Sequence, residues 1–489
     1  MRRWFALASW LVVTTAATSP LAAPTNWVGL NTHVPANDVL DAVKGVGASW
    51  IRIDFNWLMV EPSQGQYDWA LFDKLVNDAR ARGLEVFATI GYGPAWASAG
   101  GSDARTDNDV PKAGLYQSIC QKAAAHFAGR ISHWGLWNEP NLDFFEGTMQ
   151  QWIDRVVLEG VRGIKAGCLS CKVLGPEMAS VGDKHDVWLD AALKALKQNN
   201  LMYDIITWHN YSTFKEVTPN WACWSGDLFV HDLDEQRVCV IPVGRKPLRQ
   251  VLTDNGVQHL PVWITETGYK APAGDAAAEA LQATYYRRVL EEQLKRPWWT
   301  HTFFYEIVDD NNINDKWGIA LRSSASYPAG YKTKKAWSVL EQALTNPAFG
   351  GSGAACSDGL DNDGDGLVDS ADPGCSGAGD NDERDGVSAD SGPAASDGPA
   401  PAADAATPAD GAVSTPDAGA SADSGASKDA SRDDARSGSD AGSGAGSGGG
   451  SSGCRIASEG VSGSPAGSDW PTLISLLLLI FLRRKRPYR

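Results

Sequence analysis

Between Pro24 and Phe349, short apolar runs alternate with longer stretches in which apolar residues return at helical spacing. The runs Trp27–His33, Trp50–Asn56, Glu85–Tyr92, Ile131–Glu139, Lys172–Glu177, Asp204–Tyr211, Pro261–Thr267 and His301–Ile307 make eight candidate strands. Between them, Trp69–Arg82, Leu115–Ala128, Met149–Ala166, Val187–Gln198, Ala276–Lys295 and Lys334–Leu344 show helical periodicity or helix-forming composition. Near-continuous apolar strands belong to parallel sheets covered on both faces, and eight strand–helix repeats predict an α/β fold closed into a (β/α)8 TIM barrel over residues 24–349. An open doubly wound sheet is the alternative. It is weakened at the first strand, where Gly29-Leu-Asn-Thr-His33 stands in place of a glycine-rich phosphate loop.

The pattern breaks down at both ends. Met1-Arg-Arg is followed by an apolar stretch from Trp4 to Ala17 and by small residues up to Pro24, the layout of a secretory signal over residues 1–23, with cleavage between Ala17 and Ala23. The apolar run is shorter than the ~20 residues of a membrane span. Export permits disulfides. At the other end, residues 454–489 hold an apolar run from Trp470 to Leu482 followed at once by Arg483, Arg484, Lys485 and Arg486, a transmembrane-type segment with positive-inside character.

Charge changes the picture of the region between. The chain of 489 residues carries a net charge of −16, yet residues 350–453 alone hold 20 acidic and 4 basic residues. Residues 24–349 hold 37 acidic and 31 basic residues and show no basic footprint for nucleic acid. The Gly/Ser/Ala/Asp-rich stretch 377–453 lacks the apolar surface needed to offset chain entropy and reads as a disordered stalk. Ahead of it, within 354–376, Asp361, Asp363, Asp365, Gly366, Asp369 and Asp372 stand at positions 1, 3, 5, 6, 9 and 12 of a calcium loop, with Asp in place of the usual final Glu. Calcium in this loop is the one metal expected.

In a TIM barrel, functional side chains come from the C-terminal ends of the strands. The fourth strand ends Trp137-Asn138-Glu139-Pro140 and the seventh ends Thr265-Glu266-Thr-Gly268. Two carboxylates delivered to one mouth are what glycosidic cleavage needs, one as proton donor and one as nucleophile or base. Either motif alone is a weak signal; both on the appropriate strands make a strong one.

These motifs resemble those of clan A glycoside hydrolases, retaining enzymes built on the TIM barrel, and the resemblance spans about residues 27–344. It implies that Glu139 is the acid/base and Glu266 the nucleophile, with no cofactor for catalysis. It also implies that Arg52, on the second strand, lies near the nucleophile, against a plain ion pair with Asp54 as the structural alternative. Asn138 resembles the residue that binds the sugar 2-hydroxyl. His209 and Tyr211 resemble the strand-six pair beside the nucleophile, with Tyr211 its expected direct partner. The clan's tryptophan platform on strand eight is missing from Thr302-Phe303-Phe304-Tyr305-Glu306, which leaves Phe304 or Tyr305 to serve. Glu306 and Asp309 are expected as polar contacts or rim charges. Glu61-Pro-Ser-Gln-Gly-Gln-Tyr-Asp-Trp69 and Gly93-Pro-Ala-Trp96 look most like family 39 and family 5 enzymes.

Aromatic residues near the expected mouth include Trp57, Tyr92, Trp96, Trp137, Trp208, Trp221, Trp224 and Trp317; of these Trp57, Trp96 and Trp317 join the candidate substrate-binding residues, while Trp134 and Trp152 are expected in the core. Trp221 and Trp224 fall in an excursion after strand six that Cys223 and Cys239 are spaced to staple. Cys168 and Cys171 form either a tight local disulfide or half a metal site, and Cys120 is expected as a buried thiol. The Asp-rich segment resembles thrombospondin type 3 repeats, which implies a clip between Cys356 and Cys375. Gly453-Cys454-Arg455 with the terminal run resembles myxobacterial C-terminal sorting tails, implying attachment to the cell envelope.

The whole reads as an exported, monomeric retaining glycoside hydrolase acting on a β-linked polysaccharide or oligosaccharide of xylan, glucan or mannan type. The alternatives are a non-catalytic carbohydrate-binding protein on the same scaffold and a calcium-dependent adhesion protein.

Overall fold

The computed structural model describes residues 26–346 apart from 101–106, 180–183, 216, 218–226, 235–245 and 311–315, together with 349, 356, 367 and 369–377. Eight parallel strands, β1 (Val28–His33), β2 (Trp50–Asn56), β3 (Glu85–Gly91), β4 (His133–Leu136), β5 (Lys172–Ala179), β6 (Ile205–His209), β7 (Val262–Thr267) and β8 (Trp299–Phe304), close into a barrel in sequence order. All eight coincide with the apolar runs predicted from the sequence. Three further short strands, β9 (Val308–Asp310), β10 (Ala320–Arg322) and β11 (Tyr331–Thr333), form a small sheet after the last barrel strand. The sequence pattern did not announce them.

Strand alternation decides what each side chain meets. On β2, Ile51, Ile53 and Phe55 join the outer core packed under the helices, while Trp50 joins a separate inner cluster with Phe87, Leu174, Ile205, Trp263 and Phe303. This inner cluster plugs the barrel. Its large rings leave no room for side chains on some facing positions: a Cβ on Gly29 would lie 2.4 Å from the Phe303 ring, and one on Gly135 would lie 2.8 Å from Thr89 Oγ1. Two residues beyond Trp50, Arg52 therefore also points inward, one layer higher, and Asp54 follows. The same parity carries Thr207 and His209 of β6 into the mouth above Ile205.

The outer helices use the predicted apolar faces, as in Ala70–Ala81, where Phe72, Leu75, Val76 and Ala79 are buried. The stretch expected as one helix over Met149–Ala166 is instead Met149–Trp152, a π turn at Ile153–Val157 and Leu158–Gly167. Thr148 and Gln151 form a capping box at its start. Cys168 and Cys171 form a disulfide, which settles the choice against a metal pair, and Cys120 is a buried free thiol. Cys356 is bonded to Cys375. Among the described residues no helix is long and apolar enough to cross a membrane. The signal segment 1–23, Trp221, Cys223, Trp224 and Cys239, the stalk, Cys454 and the terminal apolar run lie outside the described residues. So do Asp361, Asp363, Asp365 and the side chain of Asp369. Asp372 is buried and accepts a hydrogen bond from the Gly374 amide.

Candidate active site

The C-terminal rim of the barrel concentrates backbone strain. His33, Tyr92, Trp137, Glu139 and Glu177 all have positive φ, between 38° and 67°; Glu177 lies two residues before the end of β5, and the others stand at or just beyond strand ends. Non-glycine residues held in this region persist only where surrounding structure fixes them, and they cluster at functional sites. Here the fixing contacts are visible: the Glu139 amide donates to the Glu177 carbonyl, and the Trp137 amide donates to that of Ile90.

Arg52 is the hub of the site. Its side chain is 3% exposed, and Nη1 donates to Asn31 Oδ1 at 2.9 Å and Glu266 Oε1 at 2.7 Å. Nη2 donates to Asn138 Oδ1 and Glu177 Oε2, both at 2.9 Å. The simple Arg52–Asp54 pair is not formed; Asp54 binds His33 Nδ1 at 2.8 Å instead. Tyr211 donates its hydroxyl to Glu266 Oε2 at 2.8 Å, so both oxygens of Glu266 are held. His209 lies between three carboxylates: Nδ1 is 2.9 Å from Glu139 Oε1 and 3.6 Å from Glu266 Oε2, and Nε2 is 3.0 Å from Glu177 Oε2. Thr265 adds a third donor to Glu177 Oε2 at 3.2 Å. Thr265 and Glu266 reach the site side by side because the β7–β8 register shifts between Ile264 and Thr267.

Burial and charge set the protonation states. Burial pushes the Glu139 carboxyl above its ordinary range, with Glu266 adding to the rise and His209 and Arg52 opposing it. Burial disfavours a charged His209, but Glu266, Glu139 and Glu177 outweigh it and carry the imidazole up to about 9. Burial also opposes ionisation of Glu177, yet Arg52 and then His209 hold its carboxyl below the usual range. Tyr211 is kept a neutral donor by burial and by the adjacent Glu266. Glu139, His209 and Glu266 bring one ligand-type atom each within 4.8 Å of one another. Since His209 bonds directly to Glu139, this is a hydrogen-bonded acid–imidazole–acid set rather than a metal cage.

The aromatic expectations divide. Tyr305 stands at the mouth with its ring edge-on to His33, Tyr211 and Trp317, and Trp317 also meets Tyr211 at 5.1 Å. Phe304 is not a sugar platform: Phe303 belongs to the inner cluster, so its neighbour points outward, where Phe304 is fully buried and stacked on Tyr286 at 4.1 Å. Trp57 is likewise core, buried at the start of the turn Trp57–Val60 with its indole N–H donated to Glu61. Trp96 is partly buried, packs edge-on against Trp57 and donates to the Glu61 carbonyl, behind the rim. Trp134 and Trp152 are core as expected. Glu306 meets His33 Nε2 at 3.3 Å, while Asp309 is buried in an ion pair with Lys334.

Three polar residues of the site were missed by the sequence-based reading: Asn31, Thr265 and Glu177. Glu177 had a signal, since it was placed at the C-terminal end of a strand, where a charged residue in an apolar run reads as functional.

The model of the cellulase family, glycosyl hydrolase family 5, matches residues 16–304, more than half of the chain. The chain belongs to this family. Family 5 is one of the retaining clan A glycoside hydrolase families. The family 5 barrel is similar to a monomeric β-xylosidase from Caulobacter crescentus CB15, with 19% identity over 67% of this chain and 69% of that one and a TM-score of 0.50. It is also similar to a family 39 glycoside hydrolase from the gut symbiont Bacteroides cellulosilyticus WH2, with 18% identity over 66% of this chain and 64% of that one and a TM-score of 0.47. A third similar structure is an exo-β-1,4-mannosidase from Opitutaceae bacterium strain TAV5, with 16% identity over 66% and 59% and a TM-score of 0.45. This family 5 chain thus spans less than two thirds of the length of two of these neighbours. No curated protein matches the sequence.

Proposed function

We propose that this glycoside hydrolase cleaves a β-linked polysaccharide or oligosaccharide of xylan, glucan or mannan type, with Glu139 as acid/base and Glu266 as nucleophile. One observation supports a double displacement: an oxygen of Glu139 and an oxygen of Glu266 lie within 4.8 Å of each other. Retaining enzymes keep their carboxyl groups ~5–5.5 Å apart, whereas inverting ones separate them by ~6.5–9.5 Å to admit a water. The environments push the two acids apart in function. Glu139 is biased towards the protonated state by burial, as a donor must be. Glu266 is held by Arg52 and Tyr211 in one orientation, as an attacking carboxylate must be.

In the first step a Glu266 oxygen bonds to the anomeric carbon as the glycosidic C–O bond breaks, and the Glu139 proton passes to the departing oxygen. In the second, water attacks that carbon, gives its proton to Glu139, and Glu266 leaves as carboxylate. No cofactor takes part. The sugar 2-hydroxyl is assigned to Asn138, held by Arg52, and the apolar faces under the pyranose to Tyr305 and Trp317.

The same proposal makes the protein an exported one, tethered to the cell envelope by its C-terminal tail, with calcium in the Asp-rich loop clipped by Cys356–Cys375; sequence spacing supports these points. A panel of polysaccharides assayed with wild type, Glu139→Ala and Glu266→Ala tests the enzymatic core. Azide is expected to rescue Glu266→Ala with inverted product, and undiminished activity in either variant contradicts the roles.

A further inference from the structure

The buried carboxylate of Glu177 lies behind the two proposed catalytic acids and touches neither. It is fully buried, and its Oε2 accepts from Arg52 at 2.9 Å, His209 at 3.0 Å and Thr265 at 3.2 Å. A buried charge of this kind costs several kcal/mol unless it is paired. Arg52 compensates this charge, and His209 gives Glu177 a second partner that also bonds to Glu139.

We propose that Glu177 is a positioning residue for the acid step: by accepting the Nε2–H of His209 it keeps both ring nitrogens as donors, so Glu139 carries its transferable proton on Oε2. This rests on the assignment of Glu139 as acid. An imidazole bonded to one carboxylate only can be neutral, with a lone pair on its other nitrogen. A neutral His209 with its hydrogen on Nε2 would present that lone pair to Glu139 Oε1 at 2.9 Å and take the acid's proton into an internal hydrogen bond. As an imidazolium it donates from Nδ1 to Oε1 instead, and the proton of Glu139 is left on the other oxygen, free for the departing group.

Charge counting around the site supports the same arrangement. His209 faces Glu139 from β4, Glu177 from β5 and Glu266 from β7. Arg52, on β2, lies on the far side of Glu177, with Asp54 and Tyr92 on its own flank, Tyr203 near Glu177 and Tyr211 beside Glu266. Asp54 is ion-paired with His33, which also meets Glu306 outside this set, and the tyrosines are neutral. In the resting site Arg52 and His209 are cations, Glu177 and Glu266 anions and Glu139 neutral, a sum of zero. In the glycosyl-enzyme Glu266 is a neutral ester and Glu139 an anion, again a sum of zero. Neither half-reaction leaves an uncompensated charge in the buried site, because Glu177 stays ionised throughout. The upward displacement of the His209 pKa and the depression of that of Glu177 agree with this count.

The test joins spectroscopy to leaving-group kinetics on the full chain. In wild type, histidine-labelled for NMR and assigned with His209→Gln, the His209 ring is expected to carry protons on both nitrogens at pH 7.5. A neutral ring there overturns the proposal whether or not any variant folds. Glu177→Gln is expected to yield a neutral His209 at that pH. It should lose about 10²-fold in kcat on an unactivated glycoside, the lower range of general-acid contributions, and less than ~10-fold on a dinitrophenyl glycoside whose leaving group needs no proton. Glu177→Asp, which keeps the charge, should recover most of the loss. An equal loss on both substrates, or a charged His209 in Glu177→Gln, overturns the proposal. Glu139→Ala is the reference: if it too shows no leaving-group dependence, the acid assignment fails and this inference with it, whereas failure of Glu177→Gln alone leaves Glu139 in place.

Discussion

Replacing Arg52 by Met keeps much of the side-chain volume and removes the charge on which four partners converge. Arg52 is 3% exposed, and its two anionic partners, Glu177 and Glu266, are 0% and 9% exposed. Breaking a buried ion pair by deleting one partner costs about 3–5 kcal/mol, because the remaining charge is stranded. For a domain of this size, at about 2–3 °C per kcal/mol, the melting temperature should fall by roughly 6–15 °C at pH 7. The loss must depend on pH in a set direction. Glu177 has its folded pKa depressed by Arg52, so the stability this pairing contributes is present above the unfolded carboxylate pKa and disappears as pH falls through the depressed folded value. In the Met variant the stranded carboxylates take up protons, so the gap between variant and wild type should narrow steadily from pH 7 towards pH 4. Thermal unfolding across that range, followed by circular dichroism, measures it. A variant as stable as wild type at pH 7, or a deficit of the same size at pH 4 and pH 7, would mean that Arg52 does not compensate buried charge.

Three further outcomes follow from the site. Tyr211→Phe removes one hydrogen bond to an anion, worth about 1.5–3 kcal/mol, and should lower kcat/KM by roughly 10- to 150-fold with the fold intact. Phe304→Ala should cost about 3–5 kcal/mol in denaturant unfolding, as loss of a buried ring does, whereas Tyr305→Ala should leave stability nearly unchanged and raise KM; the reverse pattern would restore Phe304 as the sugar platform. Removing residues 378–489 should leave hydrolysis of a soluble substrate unchanged while abolishing retention on cells, and loss of hydrolysis would assign the tail to the active site instead.

The barrel was legible because its strands are apolar throughout and separated by helices, so the eight runs could be found without contacts. The two acids were legible because each stands in a short polar motif at a strand end. What lay beyond reach was parity at the rim. A one-residue difference sends a side chain to the opposite face, and this separates Phe304, packed outward on Tyr286, from Tyr305 in the mouth. Trp57 was misplaced for a related reason: an aromatic just after a strand looks like a rim residue, but a short helical turn rolls it into the core. Glu177 carried one local signal, its place at the end of a predicted strand, but its role lies in partners 125, 32 and 88 residues away that Gly175-Pro176-Glu177 does not identify. The Asp54–His33–Glu306 cluster was hidden in the same way, whereas Arg52 reaches Glu266, as the resemblance implied, and does not pair with Asp54.

Attack of Glu266 on the anomeric carbon forms a bond that can be trapped. Incubation with a 2-deoxy-2-fluoro glycoside bearing a good leaving group, followed by proteolysis and mass spectrometry, should place one sugar on the Glu266 side chain. The label should be absent from Glu266→Ala and present in Tyr211→Phe. A sugar bound to Glu139 or Glu177, or product released with inverted configuration by wild type, would exclude Glu266 as the nucleophile.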